Sequence, residues 1–238
     1  MAREIETTVR EIIQRTRNVL SVRVDAGPDT SFRAGQFLCV MFKGGEPCKR
    51  WLSISNAPTE TGYLEFTKKL TGSDFSERLR ALKPGDQLQI QYPFGKFTLE
   101  DNLPDLRAKI AFISGGIGIT PIRSMCKYIV DKNTGTDIAL IYSNRTVDDI
   151  AFRDDFELMR KSYGQLAMVH VLCEPSEGFA CRLGFIDAQA VREQVPDYLE
   201  RKFYLCGPPA MVAAMKKMLA VELALSDKSI ITENFQGY

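Results

Sequence analysis

The chain has 238 residues, 45% hydrophobic and 26% charged, which is the profile of a folded globular protein long enough for two cores. Its 31 Lys and Arg nearly cancel its 30 Asp and Glu, and a formal net charge of +1 speaks against a nucleic-acid binder, which needs a basic excess. No apolar run approaches the ~20 residues that cross a bilayer, the opening MAREIETTVREII lacks a signal-peptide core, and six cysteines without a C-x-x-C pair disfavour zinc and a fused iron–sulfur cluster, so the thiols are expected reduced and mostly buried, as in the cytoplasm.

The first hundred residues alternate with period two. Leu20, Val22 and Val24 make one run, Leu64 and Phe66 another, and Leu88, Ile90 and Tyr92 a third. Turn signals at Gly27-Pro28, Gly44-Gly45 and Lys83-Pro84-Gly85-Asp86 separate them. With the stretches 5–16, 36–42 and 50–55, six strands with short turns predict a small antiparallel β-barrel. In the stretch RWLSISNAP, Arg50 would share a face with Leu52 and Ile54, leaving Trp51, Ser53 and Ser55 on the other. A guanidinium in line with aliphatic side chains calls for an anion. Further on, TGSDFSERL places Gly72 and Ser73 before a helical turn. Its free N–H groups and the Ser76 hydroxyl suit a phosphate, or an ordinary helix cap.

Pro104 breaks the pattern near Asn102–Arg107, which divides the chain into domains at 1–105 and 106–238. Beyond it, apolar runs at 110–113, 138–142, 166–172, 203–206 and 229–232 alternate with helical stripes. The first stripe is Ile122, Met125, Cys126, Ile129 and Val130, after a Thr120 cap and Pro121 at the first helical position. Phe152, Phe156, Met159 and Tyr163 form a second, Asp187 opens a third, and Pro209 starts a fourth over 209–225. A five-stranded, mainly parallel sheet wrapped by helices follows.

Two strand–helix turns carry chemistry. In ISGGIGITP, Gly115, Gly116 and Gly118 allow a tight turn and close approach of a phosphate to a helix N-terminus, although Pro121 stands where a G-x-G-x-x-G run needs its third glycine. A plain tight turn would look the same. In FYLCGPPAM, Gly207 and two prolines force an abrupt exit and leave Cys206 near the carboxyl edge of the sheet, outside which parallel sheets bind ligands. Two shaped turns on one edge favour a dinucleotide. The single histidine, His170, lies in an apolar strand and reads as structural.

These residues, in this order, resemble the flavin reductase module of the ferredoxin–NAD(P)H reductase superfamily over nearly the whole chain. Arg50-Trp51-Leu52-Ser53 looks like its Arg-x-Tyr-Ser motif for FAD, Gly72 through Ser76 like its pyrophosphate loop, and Pro93-Phe94-Gly95 like its Pro-x-Gly after the barrel. The run 115–121 looks like its nicotinamide dinucleotide turn, Cys206-Gly207-Pro208-Pro209 like its cysteine motif, and Glu233-Asn234-Phe235 like its Glu-x-Phe. The resemblance implies FAD contacts from Arg50, Trp51, Leu52, Ser53, Thr67, Lys68, Gly72, Phe75, Ser76 and Phe235. It implies nicotinamide dinucleotide contacts from Gly115, Gly116, Gly118, Thr120, Pro121, Ser143, Arg145, Cys206, Gly207 and Pro208. Ser53 would sit near the flavin N5, Thr120 and Cys206 beside the nicotinamide, and Glu233 would complete a polar relay; no metal is implied.

Two departures stand out. Leu52 replaces the aromatic residue expected over one flavin face, and the chain runs past Phe235 to Tyr238, with Phe235 favoured for the other face. Arg145 could pair with an adenosine 2′-phosphate or form a surface salt bridge to Asp148 or Asp149, whereas Glu174 would repel that phosphate. The balance leans to NADH over NADPH. The implied protein is a monomeric cytoplasmic NAD(P)H oxidoreductase that passes electrons through FAD to a ferredoxin, flavodoxin or oxygenase component. The alternatives are an electron-transfer subunit of a larger complex, although the expected C-terminal cysteine cluster for [2Fe–2S] is missing, and a nucleotide-sensing module without turnover.

Overall fold

Six strands build the first half: β1 (Arg3–Thr16), β2 (Val19–Asp25), β3 (Phe37–Phe42), β4 (Lys49–Ser53), β5 (Tyr63–Lys69) and β6 (Gln87–Phe94). The computed structural model describes residues 2–42, 48–99 and 108–234; the expected domain boundary near Asn102–Arg107 lies outside them, as do Phe235 and Tyr238. The six strands form one antiparallel sheet in the order β4-β3-β6-β1-β2-β5. β1 is long enough to pair β6 through Arg3–Thr8 and β2 through Val9–Thr16, with register shifts at Val9/Glu11 and Gln14/Thr16 that help the sheet curl. The bridge Ile54↔Phe66 joins the two edge strands, so the curled sheet closes on itself. Period two then sends one face inward: Val22, Val24, Leu38, Val40, Ile54, Leu64, Phe66, Leu88 and Ile90 are fully buried. Each contributes about 1.5–3 kcal/mol relative to exposure. Helix α1 (Asp74–Ala81) seals the sheet with Phe75 and Leu79.

The second half alternates β7 (Lys109–Gly115), α2 (Ile119–Lys132), β8 (Asp137–Asn144), α3 (Arg153–Ser162), β9 (Leu166–Leu172), β10 (Arg182–Leu183), α4 (Ala188–Gln194), β11 (Lys202–Gly207), α5 (Pro209–Lys217) and β12 (Ile230–Asn234). Its sheet is parallel in the order β10-β9-β8-β7-β11-β12. It has six strands, not the expected five; β10 is two residues long, too short to show a period. Helices cover both faces, which is why the inner strands read as unbroken apolar runs. Strand order reverses between β7 and β11, and the two shaped turns leave the sheet at that switch point.

The start of α2 differs from expectation. Gly118 holds the cap position without a side-chain bond, and the Thr120 hydroxyl donates back to the Ile117 carbonyl at 3.1 Å, so Thr120 is not the cap. Pro121 is the third helical residue, still within the turn whose N–H groups need no partner. The expected helix over 209–225 ends its α-form at Lys217 and continues as a π-turn over Met218–Glu222.

The two halves meet over a continuous apolar layer in which Ala34, Phe97 and Leu99 pack with Phe112, Met125 and Tyr204. Gly35, at φ +98, lies so close that an added Cβ would sit 2.1 Å from the Phe97 carbonyl oxygen and 2.2 Å from Met125 Cε. All six cysteines are free; Cys39, Cys48, Cys126 and Cys206 are buried, Cys181 is intermediate and Cys173 exposed. Among the described residues no helix is long and apolar enough to cross a membrane.

Candidate functional site

Strand β4 enters from solvent and turns inward along its length: Lys49, Arg50 and Trp51 are exposed, Leu52 is intermediate, and Ser53, Ile54 and Ser55 are buried. Arg50 pairs with Val40, Leu52 with Leu38 and Ile54 with Phe66, all core residues, so the three share the core-facing side of the strand as expected, with Arg50 at its exposed end. The strand's first residues project beyond the core, and Arg50 reaches the Lys49 carbonyl at 2.9 Å and the Phe75 ring at 5.7 Å to its centroid. Phe75 belongs to the first turn of α1, so the guanidinium stands beside that helix's N-terminus. Lys68 is only 7% exposed, and burial, followed by Arg50, holds its ammonium below the usual lysine range. Neither cation has a carboxylate partner among the described residues, an arrangement that an anion would relieve.

At the same place Ser73 caps α1, and the hydroxyls of Thr71, Ser73 and Ser76 lie 3.0–3.2 Å from one another. A Cβ on Gly72 would meet nothing within 4 Å. Two cations, a hydroxyl cluster, an open glycine and a helix N-terminus fit a pyrophosphate. Leu52 packs against the barrel core, while Trp51 leaves it to meet Phe94 edge-on at 4.8 Å. The Thr67 hydroxyl is taken up by Ser21 at 2.7 Å and Ser55 at 2.8 Å.

The two glycine turns interlock at the switch point. A Cβ on Gly118 would come within 2.3 Å of the Cys206 carbonyl oxygen and 2.6 Å of the Gly207 Cα; on Gly115 it would meet Met211 Sδ at 2.2 Å. The Tyr142 hydroxyl donates to the Gly116 carbonyl at 3.0 Å and props the turn from β8. Beside them opens a cavity of about 220 Å³ that gathers Gly115, Gly116, Ser143, Arg145 and Pro208 with Asn144, and reaches Thr16, Asn18 and Lys69 of the barrel. Asn144 is 6% exposed; its amide lies against the Tyr142 hydroxyl, and among the described residues neither amide atom completes a well-formed hydrogen bond. A polar ligand or an ordered water in the cavity would complete its bonding. A polar residue ending a strand next to Ser143 was the only sign of it in the sequence. Gly118, Thr120, Pro121, Cys206 and Gly207 lie behind this cavity rather than on its wall.

Gly118→Ala tests the close packing. Neither backbone can yield to a 2.3 Å contact, so a loss of about 1–2 kcal/mol is expected from overpacking, with a raised KM for the nucleotide. A melting curve and a KM identical to the parent's would show that the turns can separate.

Across the strand ends, Ser114, Cys206 and Glu233 stand in one row, paired β7 to β11 to β12. Burial, then the Glu233 charge, pushes the Cys206 thiol well up, so it remains a neutral thiol. Burial also raises the Glu233 carboxyl, and the buried Ser114 hydroxyl has no partner among the described residues. Arg145 is paired at 2.7 Å with Glu174; Asp149 instead accepts from the Thr146 N–H and hydroxyl in a capping box. The alternative salt bridge of Arg145 thus goes to the residue expected to oppose it. His170 lies tilted against the Tyr142 and Phe179 rings, and burial pushes its pKa down to about 4, leaving it neutral.

Family models described as an oxidoreductase FAD-binding domain and an oxidoreductase NAD-binding domain match residues 5–99 and 112–217. The glycine betaine monooxygenase reductase subunit of Pseudomonas aeruginosa is 32% identical over 194 residues, 79% of this chain and 52% of that protein. NADH-cytochrome b5 reductase 1 of Aspergillus terreus is 34% identical over 68% of this chain and 56% of its own length. The crystal structure of the Amycolatopsis cytochrome P450 reductase superposes with a TM-score of 0.88 at 26% identity, covering 99% of this chain and 71% of that one. The chain spans about half the length of the curated relatives it matches.

Proposed function

The chain belongs to the ferredoxin–NAD(P)H reductase superfamily, and from that premise we propose that it oxidises a reduced nicotinamide dinucleotide through FAD and delivers the electrons to a one-electron redox protein. The cavity at the switch point, walled by both halves and lined by Gly115, Gly116 and the buried Asn144 amide, carries this reading. In it, residues 1–105 hold the flavin and 106–238 the nicotinamide dinucleotide. Bound FAD would supply a two-electron acceptor that can discharge in single steps. Arg50, Lys68 and the start of α1 would hold its pyrophosphate, and Ser53 would present its hydroxyl at the reacting edge. The neutral Cys206 thiol would pack beside the nicotinamide, and Glu233 would close the polar relay.

Ferredoxin, flavodoxin or an oxygenase component would serve as acceptor; the last is favoured because a monooxygenase reductase subunit is among the relatives. Six free thiols suit a reducing compartment, and we place a monomer in the cytoplasm. The test is steady-state reduction of ferricyanide and of a one-electron haem protein by NADH after FAD reconstitution. Turnover with both is expected; a protein that binds FAD and nucleotide but reduces neither acceptor would be a sensing module.

Nucleotide preference turns on the Arg145–Glu174 pair. With Glu174 in place Arg145 is neutralised, so NADH is favoured and NADPH accepted. Because the side chains are 78% and 50% exposed, solvent screens the pair and neither charge imposes an absolute choice. Glu174→Arg removes a repulsion and frees Arg145. The ratio of kcat/KM values should move toward NADPH about tenfold, near 1.4 kcal/mol, and less at high salt. An unmoved ratio at low salt would take Glu174 away from the ribose.

A further inference from the structure

We propose that Arg123 is a positioning residue that locks the nucleotide turn to the flavin-side strand end; this rests on the redox reading above. Arg123 lies on α2, five residues after Gly118, and is 4% exposed. Its guanidinium faces three elements at once. It donates to the Ser55 carbonyl at 3.2 Å, to both carboxylate oxygens of Glu60 ahead of β5, and to Asp155 of α3 at 2.9 Å. Ser55 is two residues beyond Ser53.

From Ser55 the chain of contacts continues and closes. The Ser55 hydroxyl bonds Glu65 at 3.0 Å and Thr67 at 2.8 Å, and Thr67 bonds Ser21 at 2.7 Å. Arg15 donates to Ser21 at 2.9 Å and to Glu65 at 3.2 Å, and its other nitrogen lies 3.5 Å from Asp155. Thus a ring of polar groups runs from α2 through the end of β4, β5, β2 and β1 to α3, and back to Arg123. Next to it Ser124 donates to the Asn56 carbonyl at 2.7 Å.

Adhesion between the halves does not require this ring, since the neighbouring apolar layer already supplies it. Buried ions are a costly way to hold two surfaces together. What a planar guanidinium adds is direction, because its fork admits one arrangement of three acceptors. Since α2 is a rigid rod beginning at the glycine turn, fixing Arg123 against Ser55 fixes that turn against Ser53. Reactions between two bound partners are sensitive to such placement: a 1 Å error costs about a hundredfold.

The test uses the FAD-loaded and FAD-free protein with two variants, Arg123→Lys and the double variant Arg123→Met/Glu60→Gln. The first keeps the charge and loses the fork; the second removes both charges, so that neither is left buried alone. The flavin-reduction rate at saturating NADH should fall about tenfold to a hundredfold in both, while the Kd values for FAD and NADH stay at the parent's. Amide exchange over 53–57 and 116–120 should quicken in the FAD-free variants while the barrel strands keep their protection. A folded variant with the parent's reduction rate and exchange pattern would overturn the proposal. Should the parent itself not react with NADH, the redox reading fails, and the exchange comparison still decides whether Arg123 holds the two segments.

Discussion

Glu60→Gln is expected to lower the unfolding free energy by about 3 kcal/mol at neutral pH and by almost nothing in strong acid. Burial works against the Glu60 carboxylate, but the hydrogen bond and charge of Arg123 and the Ala57 N–H outweigh it and hold its pKa below 4.5. A depressed carboxyl stabilises the fold fully above its unfolded pKa and loses that contribution as pH falls through the folded value. Below that value the parent carries a neutral Glu60 that resembles glutamine, so the two proteins converge. Urea unfolding followed by circular dichroism, with FAD in fixed excess, measures the difference at each pH. A gap that stays constant from neutral pH to pH 3 would mean that the carboxylate's charge contributes nothing.

Arg50→Ala should weaken FAD binding by about 1.5–3 kcal/mol, the range for a charge-assisted hydrogen bond, or roughly tenfold to 150-fold in Kd. Arg50 is exposed and, among the described residues, makes the Lys49 carbonyl and Phe75 contacts, so its loss should barely move the melting temperature of the FAD-free protein. That separation distinguishes a ligand contact from a structural one. The remaining affinity would come from Lys68 and the α1 N-terminus, and it should fall more steeply with salt in the parent than in the variant. An unchanged Kd in the folded variant would remove Arg50 from the pyrophosphate site.

Period-two alternation placed all six barrel strands within a few residues of their observed ends, because their apolar residues recur on the face that fills the barrel core, even in β2 and β5, whose other face is also largely covered. Five of the six parallel strands were legible for the opposite reason, being long apolar runs, while the two-residue β10 was not. Glycine spacing pointed to the two turns, but not to the fact that they touch; that follows from β7 and β11 being neighbours in the sheet. The strand face read for Arg50 is the observed one, but alternation describes direction and not depth, and Arg50 lies at the exposed start of β4. Asn144 and the Arg123 ring left no pattern to read. Barrel pairing gathers Ser21, Ser55 and Glu65 from distant stretches, Arg123 and Asp155 lie on α2 and α3, and only the docking of the two halves joins the two sets.

Anaerobic mixing of the FAD-reconstituted protein with NADH, followed at the visible flavin absorbance, tests the central claim most directly. The cavity shared by the two halves predicts that the flavin band bleaches within a single turnover and returns when a one-electron acceptor is added. A protein that holds FAD and binds NADH, yet keeps the band unchanged, would contradict it.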